Sequence, residues 1–198
     1  MAKSRPSPRR GRAPQARANR HAGPPGAIPR LSEDDLLEMA ADAPDILVLI
    51  LDGVQDPHNL GACLRTADAA GVSAVVIPKH HAVAVTETVV RIACGAAESV
   101  PVVQVTNLAR CLDRLKDEAG LRVVGAADEA DGGLHETDLT GPLAFAMGAE
   151  GTGLRRLTRE KCDALVSIPM LGEVECLNVS NATAVCLFEA VRQRLTGG

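Results

Sequence analysis

The sequence predicts an α/β fold: a mainly parallel sheet with helices on both faces. Three observations carry this. Aliphatic runs such as residues 46–51 are too continuous to have a wet face and read as strands buried on both sides. Between such runs lie helical stretches, two of them closed by Gly71 and Gly120, with the length of βαβ crossovers. The composition, 46% hydrophobic and 23% charged, is that of a chain able to bury a core.

The elements follow in order. Ser32 with Asp35 three residues later marks a helix start, opening a short helix through Leu36, Leu37 and Met39. The strand at 46–51 is followed by Asp56-Pro57-His58, a turn, and by a helix over 59–70 with Asn59 as its N-cap. Next come a strand at 74–77, a helix at 86–94, a strand at 102–105 and a helix at 107–119. Strands at 121–125 and 143–147, a helix at 154–161, a strand at 164–168 and a long helix over 179–194 complete the chain. The domain boundary falls between Leu31 and Asp45, giving a tail (1–30), a short helix or linker (31–45) and a catalytic domain (46–198).

Composition excludes several classes. Two Phe and no Tyr or Trp argue against a reader that stacks bases on an aromatic platform. No apolar run reaches the roughly 18 residues of a membrane span, and the opening MAKSRPSPRRGRAP has no apolar core of a secretory signal, so a cytoplasmic protein is expected. The six cysteines form no C-x-x-C pair, which argues against a structural zinc site and leaves free, mostly buried thiols. Charge is unevenly spread. Residues 1–30 hold eight basic residues and no acid, while the remainder holds 13 basic against 25 acidic, −12. With six of the twelve prolines as well, the first 30 residues read as a disordered basic arm able to contact a polyanion.

Three clusters read as chemistry. In 51–66, Asn59 opens a helix on which Leu60, Leu64 and Ala67 form one apolar stripe, leaving Arg65 off it. Met147-Gly148-Ala149-Glu150-Gly151-Thr152-Gly153 joins a strand to a helix through three glycines. Its G-x-x-G-x-G spacing is neither a Walker loop nor a dinucleotide fingerprint, and a ligand loop and a tight turn fit equally. In the third, Ser167-Ile168-Pro169-Met170 and a short loop lead to Leu177-Asn178-Val179-Ser180, where Asn and Ser crowd a helix start, as caps or as ligand contacts.

In this order and at these separations, the clusters resemble motifs 1, 2 and 3 of the SpoU/TrmH family of RNA 2′-O-ribose methyltransferases, in the SPOUT superfamily, over about residues 46–194. Two intervening stretches, 93–101 and 187–194, look most like the bacterial branch that methylates a guanosine of 23S ribosomal RNA. The resemblance implies a C-terminal trefoil knot, an exception to un-knotted topology. It also implies a homodimer, S-adenosyl-L-methionine as cofactor, RNA as substrate (23S rRNA, with tRNA the competitor) and no metal, because the sulfonium already activates the methyl. By motif, Gly148, Ile168 and Leu177 contact the cofactor, and Gly151, Pro169 and Met170 line the site with Glu150. Asn59, Arg65, Glu150 and Asn178 fall on the positions implicated in catalysis.

The family proposal makes the motif 1 arginine the base for the 2′-hydroxyl. A guanidinium stays protonated, so Arg65 is read instead as orienting phosphate and hydroxyl and stabilising oxyanion charge. Three departures stand out. Cys176 replaces a Ser common in the family, and Asn181 replaces an aliphatic residue. The branch usually carries a folded domain resembling ribosomal protein L30e ahead of the catalytic domain; here about 45 residues stand in its place, leaving recognition to the dimer surface and tail. A non-catalytic RNA-binding or ribosome-assembly protein is the alternative from another class.

Overall fold

The computed structural model of the chain describes residues 29–80 and 82–197. The first half runs β1 (Arg30–Leu31), α1 (Glu33–Ala41), β2 (Leu47–Asp52), α2 (Pro57–Ala70), β3 (Ala74–Pro78), α3 (Glu87–Ala93), α4 (Ala96–Ser99), β4 (Val102–Val105) and α5 (Leu108–Asp117). The second half adds β5 (Arg122–Ala126), β6 (Gly132–Gly133), a 3-10 turn (Leu134–Glu136), β7 (Leu143–Gly148), α6 (Arg156–Lys161), β8 (Ala164–Ser167) and α7 (Val179–Thr196).

The strands form one sheet in the order β1-β4-β3-β2-β7-β5-β8-β6, every pairing parallel. Parallel neighbours need crossovers, and these cover both faces. Side chains alternate accordingly. Leu47, Leu49 and Leu51 of β2 join Val75, Phe145 and Met147 in a core closed by Leu60, Leu64, Val89 and Leu187. Val48 and Ile50 face the other way with Val76, Val103 and Ala146, beneath Leu36, Leu112 and Leu115.

The helix starts follow their caps. Ser32 and Asp35 make the expected reciprocal capping box on α1, and Thr86 and Asn107 cap α3 and α5. One expectation is corrected: Asp56, not Asn59, caps α2, accepting from the His58 N–H at 2.9 Å. Pro57 at the first helical position, with its fixed φ and no N–H to satisfy, lets the helix begin two residues earlier than expected. The helix expected at 154–161 also shortens, to Arg156–Lys161. At the sheet's edge, Arg30–Leu31 pairs with Val102–Val103. The basic arm lies outside the described residues up to position 28.

The last helix ties the C-terminal half together. From β8, α7 returns across the sheet to pack on α2 and β7, with buried Cys63 and Thr183 meeting between the helices at 3.6 Å. Residues 134–141 are bonded along α7. Gln193 donates to the Thr137 carbonyl at 3.0 Å and accepts from the Leu139 N–H at 2.8 Å. Glu189, almost buried, binds Arg192, Gln193 and His135, and the Arg192 guanidinium above all holds its carboxyl down at about 2. Arg194 donates to the carbonyls of Asp45 and Gly141, both at 2.7 Å, fastening the end of α7 to the turns that feed β2 and β7.

All six cysteines are free. Burial pushes the Cys63 thiol up to about 11 and those of Cys111, Cys162 and Cys186 to about 12, while Cys94 and Cys176 are exposed. No helix among the described residues is long and apolar enough to cross a membrane.

Candidate active site

Strands β2 and β7 end side by side, Asp52 in register with Gly148. The loops that leave there bring two of the sequence clusters to one edge of the sheet. Because Asp56 has taken over the cap, the Asn59 side chain is free of that duty and sits almost buried in the first turn of α2. Its Oδ1 accepts from Asn178 Nδ2 at 3.1 Å.

Asn178 does cap α7: its Oδ1 accepts from the Ser180 N–H at 2.9 Å and from Ser180 Oγ at 2.6 Å. An oxygen turned to those donors leaves the amide nitrogen facing the other way, which fixes the orientation of the group. That nitrogen donates to Asn59 and also to Glu150 Oε1. One amide thus serves both as cap and as the link joining all three clusters.

Glu150 arrives on a tight turn. Ala149 and Gly153 exchange backbone hydrogen bonds of 3.1 and 2.9 Å, and Gly151 and Gly153 take positive φ of 74° and 64°. A Cβ on Gly148 would lie 2.1 Å from the Gly153 carbonyl carbon, so only glycine closes this loop. The two readings left open by the sequence therefore coincide in part: the segment is a tight turn, and the turn delivers Glu150 to Asn178.

Between β8 and Asn178 runs an irregular segment, residues 168–177, that forms no hydrogen bond among the described residues. Ile168, Met170 and Leu177 are half-buried, Pro169 is exposed and Leu171 is 99% exposed. Ordered backbone normally pairs its N–H and C=O groups; here a whole run of them is left open beside the Glu150–Asn178–Asn59 cluster. Open polar edges flanked by apolar Ile168 and Leu177 suit a flat nucleoside. Gly148 and Gly151 lie on the adjoining loop, half-buried and exposed respectively.

Arg65 stands apart. It is exposed on α2, and its partner is Cys94 Sγ at 3.9 Å rather than Asn59, Glu150 or Asn178. Four proposed catalytic residues thus resolve into a bonded trio and one separate guanidinium. Cys176 is exposed, with no cation in contact with its thiol among the described residues. No three of the described His, Cys, Asp and Glu residues are grouped to hold a metal ion. Sequence reasoning missed Asp52, a wholly buried acid that binds Arg155. An acid ending an all-aliphatic strand was the available signal.

Residues 46–188 match the model of the SpoU rRNA Methylase family. The chain is 62% identical over 164 residues to the 23S rRNA (guanosine-2′-O-)-methyltransferase RlmB of Shewanella oneidensis, covering 83% of this chain and 66% of that protein. To the RlmB of Escherichia coli it is 59% identical over 162 residues, covering 82% and 66%. The chain thus spans a little under two thirds of the length of these curated relatives. Among solved structures, the SpoU methyltransferase AviRb of Streptomyces viridochromogenes in complex with the cofactor AdoMet superposes with a TM-score of 0.75 at 32% identity, over 82% of this chain and 63% of that one. The TrmH/SpoU tRNA modifying enzyme of A. aeolicus gives 0.71 at 30% identity, over 84% of both chains. With the motif order, the parallel sheet and the family match in agreement, this chain belongs to the SpoU rRNA methylase family.

Proposed function

We propose that the chain transfers a methyl group from S-adenosylmethionine to a ribose 2′-hydroxyl of RNA, at a guanosine of 23S ribosomal RNA, in the cytoplasm. The observation that carries this reading is the meeting of Asn59, Glu150 and Asn178, one from each cluster, beside a ten-residue run of open backbone. The rRNA substrate is favoured over tRNA by the identity near 60% to enzymes named for 23S rRNA, against 30% to a tRNA modifying one. Residues 46–198 form the catalytic domain and residues 1–30 an RNA-binding arm.

The backbone of 168–177, with Gly148, Gly151, Pro169, Met170 and the side chains of Ile168 and Leu177, would hold the cofactor. When bound, it supplies a methyl already activated by the sulfonium. The protein supplies alignment. Asn178 fixes the Glu150 carboxylate through Oε1, leaving Oε2 as an acceptor for the hydroxyl proton. Arg65, exposed and permanently charged, orients a phosphate and stabilises the developing oxyanion. We further propose a homodimer, because α7 carries Val185, Phe188 and Leu195 on its exposed side.

Calorimetry of the full chain with S-adenosylmethionine in EDTA should show binding, and ribose-methylation mapping of RNA from a deletion strain should lose one 23S rRNA guanosine. Folded protein that binds no cofactor would end the enzymatic reading; a loss confined to tRNA would move the substrate.

A further inference from the structure

Asp52 ends β2 with no exposed surface, and among the described residues Arg155 supplies the hydrogen bonds to its carboxylate. Oδ2 accepts from the Arg155 backbone N–H at 2.9 Å, while Oδ1 accepts from Nε and Nη2, both at 2.5 Å. A buried carboxylate is tolerated only where charge and hydrogen bonds meet it, and here both come from a single residue just beyond the Glu150 turn.

The placement is specific. Asp52 is in register with Gly148, where the chain leaves β7, and Arg155 lies where the turn ends. Between them the turn is tied by the Ala149–Gly153 pair, and Leu154 is seated so close to Gly125 that a Cβ there would lie 2.7 Å from its Cδ1. The turn is thus fixed at its mouth by its own backbone and at its exit by Asp52. Neither Asp52 nor Arg155 is bonded to Asn59, Asn178 or Glu150.

We propose that the Asp52–Arg155 pair positions the Gly148–Gly153 turn for the cofactor, setting where its backbone and the Glu150 carboxylate stand relative to residues 168–177. The proposal rests on the cofactor assignment made above. The pair is a positioning device, since it acts through the turn. Arginine is required by geometry as well as charge: Nε and Nη2 approach one carboxylate oxygen while the backbone N–H takes the other, an arrangement an ammonium cannot reproduce.

Arg155→Lys separates positioning from bulk stability, because a cation stays beside the buried carboxylate and the backbone N–H is untouched. Its affinity for S-adenosylmethionine, measured by calorimetry on the full chain, should fall by about tenfold to a hundredfold. Its melting temperature should stay within about 2 °C of wild type. Amide exchange at residues 150–153, measured without cofactor, should quicken. Asp52→Asn should weaken binding further; should it fail to fold, Arg155→Lys decides alone. Wild-type affinity and wild-type exchange in Arg155→Lys overturn the proposal. If the wild type itself binds no S-adenosylmethionine, the functional reading falls, and the exchange measurement decides by itself whether the pair sets the turn.

Discussion

Asn178 shows how one side chain can be held for two purposes. Its oxygen satisfies the start of α7, and its nitrogen is thereby aimed at Asn59 and Glu150. The sequence showed a polar helix start here, as either a cap or a ligand contact, and the structure makes it the cap as well as the link. For Asn59 the cap reading fails, while its place in the first cluster rests on the motif and not on the cap. Asp56-Pro57 outcompetes it as the start of α2, and only long-range packing of α7 against α2 gives its amide a partner. Arg65 is the opposite case, a residue with no structural debt. Exposed surface positions usually change stability by less than about 0.5 kcal/mol. Arg65→Ala should therefore fold and bind S-adenosylmethionine like wild type, yet lose about 10²–10³-fold in methyl transfer. Near-wild-type turnover in a radiolabel assay would remove Arg65 from the mechanism.

At the level of elements, the strands with unbroken aliphatic runs were legible because burial on both faces leaves no polar positions to blur them; β2 shifts by one residue from the expected range. The two-residue β1 and β6 were not legible, since Arg30–Leu31 and Gly132–Gly133 carry no apolar pattern and exist only by pairing with β4 and β8. The α6 boundary moved because Leu154 serves as a plug over Gly125 and Arg155 serves Asp52 before the helix begins. Helix α7 has apolar residues on both its sides: Val179, Cys186, Leu187 and Ala190 inward, and Val185, Phe188 and Leu195 outward. In the proposed homodimer this outward apolar stripe is the surface that a second copy would cover. Light scattering should give twice the chain mass for wild type and the single-chain mass for Phe188→Glu, with the fold retained by circular dichroism. A wild-type monomer would refute the dimer.

For the whole molecule, charge separates the chain into two parts, +8 over residues 1–30 against −12 over the rest. Arg30 belongs to the sheet, so deleting residues 1–28 removes seven of those charges and leaves β1 intact. If the arm engages three to six phosphates, the slope of log K for RNA against log salt should shrink by roughly 2–4. Cofactor affinity should not change. A slope that stays the same places RNA binding on the body of the protein instead.

The sheet order carries a consequence for how the chain is made. Strand β7 sits between β2 and β5, yet 96 residues separate its Leu143 from its register partner Leu47. During synthesis β2, β3 and β4 can associate as they emerge, but β5 has no edge to join until β7 has been made and inserted. At about 5–20 residues per second, β2 waits roughly 5–20 s for its second neighbour. Throughout that interval the unpaired backbone edge of a strand that is aliphatic up to Asp52 lies open, and a ribosome-bound chain at this stage is the form most in need of a chaperone.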